Sequence, residues 1–201
     1  MANLKEIRGR IKSIKSIQKV TSAMKMVAAA KLRTSQSNME QCRPYSKKIS
    51  MLMNDLLSEC GNVRFDLIEQ REVSKTLYVV ITSDRGMAGA FNTNILKKAQ
   101  QDIDINGKDN AMVISIGKKS RDYFKNRNFD IVSEHIDFWG DLNFDHAIDM
   151  GQEIVDLFIS GKVDQVKVYY NEFKNLATQV IKDIDFLPLT ESDVEEDKKQ
   201  V

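Results

Sequence analysis

No aromatic side chain occurs before Tyr45, and the 201 residues hold only two prolines, two cysteines and two histidines. These shortages exclude several classes of function. Cys42 and Cys60 lie 18 residues apart in a stretch that reads as helix. At 1.5 Å per residue that is about 27 Å, far beyond disulfide reach, so no covalent scaffold is expected. Free thiols fit a reducing compartment. His135 and His146 stand 11 positions apart, with no cysteine or third histidine near them. Zinc needs three or four ligands, so no metal site is expected and both histidines read as ordinary surface or packed residues. The sequence has no run of 18 apolar residues, so no membrane-spanning helix is expected.

Acidic residues are scarce at the start. Residues 1–33 carry nine Lys and Arg against the single acid Glu6, although the whole chain has a net charge of only +1. The balance is restored late, where Glu191 to Asp197 holds five acids in seven residues. That end reads as a solvated, disordered tail, and the basic end as a surface needing a partner.

What the basic end does contain is helical periodicity. Leu4, Ile7, Ile11, Ile14, Ile17, Val20, Met24 and Val27 recur at spacings of three and four, the stripe of a helix. The pattern continues through Met39, Ile49, Leu52, Met53, Leu56 and Leu57 and should stop near Gly61-Asn62. Pro44 removes a backbone donor, so a kink or loosening is expected near Gln41. A helix of roughly 80 Å cannot bury its own stripe and needs packing to persist. An organelle presequence would also be basic and amphipathic, but this pattern runs on past residue 30 without a cleavage-like break.

From Thr76 the pattern changes. Leu77 to Thr82 and Ala111 to Ile116 read as strands buried on both faces. Phe129 to Ile136, Gln165 to Phe173 and Gln179 to Leu187 are further strands, and the alternation of the last suits a sheet edge. Helices are expected at Asn92–Ile103, capped by Asn92 or Thr93, at Lys118–Arg127, and at Phe144–Ser160, closed by Gly161. The last takes Ala147, Ile148, Ile154, Val155, Phe158 and Ile159 as its apolar face. The order implies an α/β fold: a small, mostly parallel sheet flanked by helices, preceded by a very long N-terminal coiled-coil-type helix. The expected divisions are a basic shaft at 1–60, a linker at 61–75, an α/β domain at 76–188 and an acidic disordered tail at 189–201.

Ser83-Asp84-Arg85-Gly86-Met87-Ala88-Gly89-Ala90-Phe91-Asn92 joins a strand to a helix, where a phosphate-binding loop would sit. Its glycine spacing matches neither a P-loop nor a dinucleotide fingerprint. A tight turn and close helix–strand packing account for the glycines as well. No nucleophile elbow or His-Glu-x-x-His pattern occurs, so no catalytic residue or cofactor is expected. The basic helix could lie on nucleic acid, on an anionic membrane or in a protein socket. Without aromatics it lacks stacking platforms and interfacial anchors, and Ala28-Ala29-Ala30 suits close helix approach. A protein partner is therefore the leading reading. The alternatives are a basic helical adaptor or nucleic-acid-binding protein, and an α/β enzyme with its site around Asp84 and Arg85.

The stretches Ile7 to Ile11 and Gln18 to Arg33 closely resemble the N-terminal helix of the F-type ATP synthase gamma subunit. Arg43-Pro44-Tyr45 resembles its mid-helix step, and Ser83 to Asn92 its Asp-Arg-Gly turn. The resemblance covers residues 1 to about 190. It implies a noncatalytic central-stalk subunit that transmits rotation between the membrane rotor and a catalytic ring of alpha and beta subunits. It places Lys19, Val20, Met24, Lys25, Val27 and Lys31 at that ring, the lysines facing acidic segments of beta subunits. It puts the α/β part near the epsilon subunit and the ring of c subunits, with no nucleic acid involved. The expected location is the cytoplasmic face of a bacterial inner membrane rather than the mitochondrial matrix side. Family members continue into a second long helix antiparallel to the first. These 201 residues end before it, so the chain is expected to be a fragment, a truncated product or half of a split subunit.

Overall fold

A computed structural model describes residues 3–59, 66–140, 142–175 and 178–190. The expected helix end at Gly61-Asn62, Cys60 and the acidic run Glu191 to Asp197 lie outside them. The chain divides into two compact units, Met1–Leu56 and Leu57–Val201.

The first unit is helix α1, Leu4–Glu59. Asn3 opens it: its side-chain oxygen accepts from the Lys5 N–H at 3.2 Å and its carbonyl from Glu6 at 2.8 Å. Glu6 pairs with Arg10 one turn on at 2.8 Å. The loosening expected near Gln41 does not interrupt the helix, which is continuous through Pro44. Proline deletes only one ladder bond, and the turns on either side keep theirs.

The second unit is an α/β layer structure. Its strands are β1 (Thr76–Ile81), β2 (Ala111–Ile116), β3 (Asp130–His135), β4 (Gln165–Asn175) and β5 (Thr178–Leu187). They lie in the order β3-β2-β1-β4-β5, all parallel except β5, which pairs antiparallel with β4. The alternation that suited Gln179–Leu187 to an edge agrees with its place there. Helices α2 (Phe91–Asn106), α3 (Lys118–Lys125) and α4 (Phe144–Ile159) make the crossovers.

Central β1 has side chains buried on both faces, which separates two cores. Tyr78 and Val80 face one core, built with Ile95, Leu96, Ile103 and Phe124 from α2 and α3. Leu77 and Val79 face the other, built with Ile154, Leu157 and Phe158 from α4. In the first core the Tyr78 and Tyr169 rings stack at 6.1 Å. The Tyr169 hydroxyl donates to Asp102 at 2.8 Å, and the Tyr78 hydroxyl accepts from Asn106 at 2.8 Å. Burial pushes both phenols above their ordinary range, so both stay neutral, Tyr169 donating and Tyr78 accepting. Lys98 ties this network to the sheet edge through Asp102 at 2.9 Å and Asp183 at 3.2 Å.

Helix α4 differs from its expected packing. Of the six residues assigned to one apolar face, Ile154 and Phe158 are buried, whereas Ile148 and Ile159 are exposed. Six apolar positions span more of the helix circumference than one sheet contact covers. The helix starts on Asn143, whose side chain accepts from the His146 N–H at 3.1 Å. It ends as expected at Gly161, at φ 70°, with Gly161 N–H donating to Phe158 and Lys162 N–H to Leu157. Helix α2 has no side-chain cap of the kind expected from Asn92 or Thr93; it starts after Ala90.

Part of the stretch expected as a linker, residues 67–75, is fastened to this unit. Leu67 packs on the α4-side core, and Arg71 donates to the Phe158 carbonyl at 3.1 Å. Asp164 accepts from the Lys75 N–H at 2.9 Å, the Ser74 N–H at 3.0 Å and the Ser74 hydroxyl at 2.8 Å. The Lys75 N–H, followed by the Ser74 bonds, holds this carboxyl below its usual 3.8. A pKa lowered by folding lends stability that is full above the unfolded value and lost as pH falls through the folded one. Asp164→Asn should therefore lower the melting temperature at neutral pH. The gap from the parent should narrow steadily below about pH 4. A gap that stays constant down to pH 2 in thermal melts would remove Asp164 from the acid response.

Candidate interaction surface

Two places could carry function: the turn after β1 and the surface of α1. The turn lies where the strand order reverses, since β1 is flanked by β2 on one side and β4 on the other. Ligands of open α/β sheets bind at such a point. Here its polar groups are bonded to one another. Asp84 accepts from the Lys118 N–H at 2.8 Å through one carboxylate oxygen and from the Asp137 N–H at 3.0 Å through the other. Lys118 and Asp137 also pair through their side chains at 2.7 Å. The Ser83 hydroxyl donates to the Arg85 carbonyl at 2.6 Å and accepts from Asn92 at 2.9 Å. Asn92 Oδ1 accepts from the Ser83 N–H at 3.0 Å, which is why it caps no helix. Asn171 of β4 donates to the Phe91 carbonyl at 3.2 Å and spans the crevice. Asp84 is thus a fastener of three loops, and the Ser83 hydroxyl is bonded to the Arg85 carbonyl and the Asn92 side chain rather than to a base.

The close approach expected at the turn's glycines lies elsewhere. A side chain at Gly86 would meet only the flexible end of Lys119 at 3.7 Å, and one at Gly89 nothing within 4 Å. The tight position is Gly117, next after β2, where a Cβ would meet the carbonyl and hydroxyl of Thr82, the residue after β1.

Helix α1 carries all six residues expected at a partner. Val20, Met24 and Val27 are 60%, 56% and 57% exposed, and Lys19, Lys25 and Lys31 are exposed too. At about 100° per residue, Val20, Met24, Val27 and Lys31 share one face. Lys19 and Lys25 fall on opposite flanks of it. The structure therefore groups four of the six and splits two lysines to either side.

Between Leu4 and Val27 the large apolar residues of α1 do not form a straight seam. From Leu4 to Val27 seven steps take 23 residues, a mean spacing shorter than the helical repeat. The stripe drifts about 220° round the helix over that length, whereas a heptad seam drifts only about 20° per seven residues. One coiled-coil mate cannot follow all of it. Neighbours on several sides can.

Comparison with known proteins gives consistent results. Residues 3–201 match a family model described as ATP synthase. The ATP synthase gamma chain of Desulforamulus reducens is 39% identical over 199 residues, which is 98% of this chain and 69% of that protein. The ATP synthase gamma chain of Christiangramia forsetii is 41% identical over 206 residues, which is 99% of this chain and 70% of that one. Among solved structures, a chain of the Tetrahymena thermophila mitochondrial ATP synthase central stalk and c-ring has the same fold. It superposes with a TM-score of 0.70 at 24% identity, over 90% of this chain and 84% of that one.

Proposed function

We propose how this chain, which belongs to the ATP synthase gamma-chain family, meets the other subunits of its complex. It is a noncatalytic subunit of the central stalk in a membrane-associated complex. In our reading α1 turns inside the ring of alpha and beta subunits. Val20, Met24 and Val27 bear on the ring wall, and Lys19, Lys25 and Lys31 meet acidic segments of successive beta subunits. The α/β unit sits nearer the c subunits and the epsilon subunit. Bacterial relatives support a place on the cytoplasmic face of an inner membrane.

One observation carries this reading: exposed apolar side chains wind round the first half of α1, where residues 1–33 hold nine basic ones. A surface of that kind suits enclosure by several subunits. Exposed ion pairs contribute about 0–1 kcal/mol each, and a shaft must slip past one beta subunit after another. No single lysine should be indispensable. A charge placed in the packed seam is costlier, because it is desolvated without a partner.

The test begins with co-purification of the chain with alpha and beta subunits; failure to assemble sinks the reading. In assembled complexes, Lys19→Ala, Lys25→Ala and Lys31→Ala should each leave proton pumping per ATP hydrolysed near the parent value. Met24→Lys should lower it to roughly half or less, as an unpaired charge in a dry seam demands. If a single lysine change abolishes pumping while Met24→Lys is silent, the bearing surface lies elsewhere.

A further inference from the structure

The sequence contains one Asn-Gly pair, Asn106-Gly107, and it falls where α2 ends. Asn106 is the last helical residue and is exposed, and Gly107 turns away from the helix at φ 91° and ψ 125°. Glycine alone takes up that region readily, and it leaves its backbone nitrogen without a Cβ to screen it. The Asn106 side chain is anchored on the sheet. Its amide nitrogen donates to the Tyr78 hydroxyl at 2.8 Å, and the Tyr78 ring stacks on that of Tyr169. The Tyr169 hydroxyl in turn donates to Asp102, one turn earlier in α2.

An asparagine placed in this way can react with the backbone that follows it. The Gly107 nitrogen attacks the side-chain carbonyl carbon of Asn106 and closes a cyclic imide. The side-chain nitrogen leaves as ammonia, carrying off the proton of the Gly107 N–H. Water then opens the ring at either carbonyl, which restores that N–H and leaves aspartate or isoaspartate at position 106. Water is consumed and ammonia released, with no oxidant, reductant or further reactant. Inside a helix the hydrogen-bond ladder keeps the backbone nitrogen away from the side chain. The last residue escapes this restraint, because a helix end frays without disturbing the turns before it. Every other asparagine of the sequence is followed by a residue whose side chain crowds the attacking nitrogen. The bond to Tyr78 must break before attack, so it slows the reaction.

We propose that Asn106 is a site of spontaneous deamidation, restrained by the Tyr78 hydroxyl, and that its conversion weakens the α/β unit. A carboxylate at the end of α2 faces the negative end of the helix dipole, and no basic residue in the last turn offsets it. Asp102 stands one turn before it, a like charge at the spacing where helical neighbours meet. The new side chain also has no proton to give the Tyr78 oxygen. An isoaspartate adds a methylene to the backbone between α2 and the short turn Lys108–Asn110 that leads into β2. The chain thus acquires with age a defect that a newly made copy lacks.

The experiment incubates the full chain in mildly alkaline buffer, withdraws samples over time and digests them for mass spectrometry. A synthetic peptide of residues Ala99 to Lys108 runs beside it as the unrestrained reference. The folded chain should gain aspartate and isoaspartate at position 106, more slowly than the peptide. Tyr78→Phe should speed the conversion roughly threefold to tenfold, the weight of one hydrogen bond. Val163→Ala, which opens a cavity in the other core, should leave the rate near that of the parent. Asn106→Gln keeps the amide but needs a larger ring to close, and should give no product. Asn106→Asp should melt roughly 2–6 °C below the parent, from the dipole and the like charge together. An unmodified Asn106 in the folded chain when the peptide has fully converted overturns the site. Equal acceleration by Tyr78→Phe and Val163→Ala overturns the restraint, because it shows reaction through global unfolding. An Asn106→Asp chain that melts with the parent overturns the weakening.

Discussion

Replacing Gly117 with alanine should cost the α/β unit about 4 kcal/mol or more, a large share of the stability of an ordinary domain. Gly117 has φ 98° and ψ 146°, a region that side-chain-bearing residues scarcely populate. A Cβ there would overlap the Thr82 carbonyl oxygen and lie 2.8 Å from its carbon. Thr82 has little room to retreat. It is buried, its N–H donates to the Ile116 carbonyl at 2.8 Å, and its hydroxyl accepts from the Ser120 N–H at 2.8 Å. Gly117 in turn donates to the His135 carbonyl at 2.8 Å, so the ends of β1, β2 and β3 converge on this residue. Moving any one of them breaks buried hydrogen bonds of the others. Urea denaturation followed by circular dichroism measures the loss. A cost below about 1 kcal/mol would show that the three strand ends shift together at little expense.

The contrast between Gly117 and the glycines at 86 and 89 shows what the sequence can and cannot disclose. Runs such as Leu77 to Thr82 announce buried strands, because a central parallel strand must be apolar on both faces and β-branched residues fit it. Likewise the Leu4-to-Val27 spacing announces a helix, and the quoted motifs point to the gamma family. The roles of Asp84, Asn92 and Gly117 follow instead from loops that meet only after folding. Asn92 looks like a helix cap from its neighbours in sequence, yet its side chain is held by Ser83 nine residues earlier. Asp84 looks like a ligand-binding acid, yet two backbone N–H groups 34 and 53 residues away occupy it. Such contacts leave no local period. Helix α4 is the intermediate case. Its surplus of apolar residues is visible in the sequence, but their division between an inner and an outer face needs the sheet to be in place.

That division should appear as opposite responses to the same kind of truncation. Phe158→Ala should destabilise the α/β unit by about 3–5 kcal/mol, the range for deleting a fully buried phenyl ring. Phe158 has no exposed surface and packs in the core with Leu77, Val79, Val163 and Val166. The Arg71 guanidinium lies 5.0 Å from its ring centre, so truncation also removes a cation–π contact. Because Arg71 binds the backbone carbonyl of Phe158 rather than its side chain, that hydrogen bond should survive and limit collapse into the cavity. Ile148→Ala and Ile159→Ala, on the outer face of α4, should each change stability by no more than about 0.5 kcal/mol. Alanine's better helix propensity offsets what little partly exposed contact they lose. Urea midpoints at constant slope separate the two groups. If Ile148→Ala costs as much as Phe158→Ala in the isolated chain, the outer face of α4 belongs to the core.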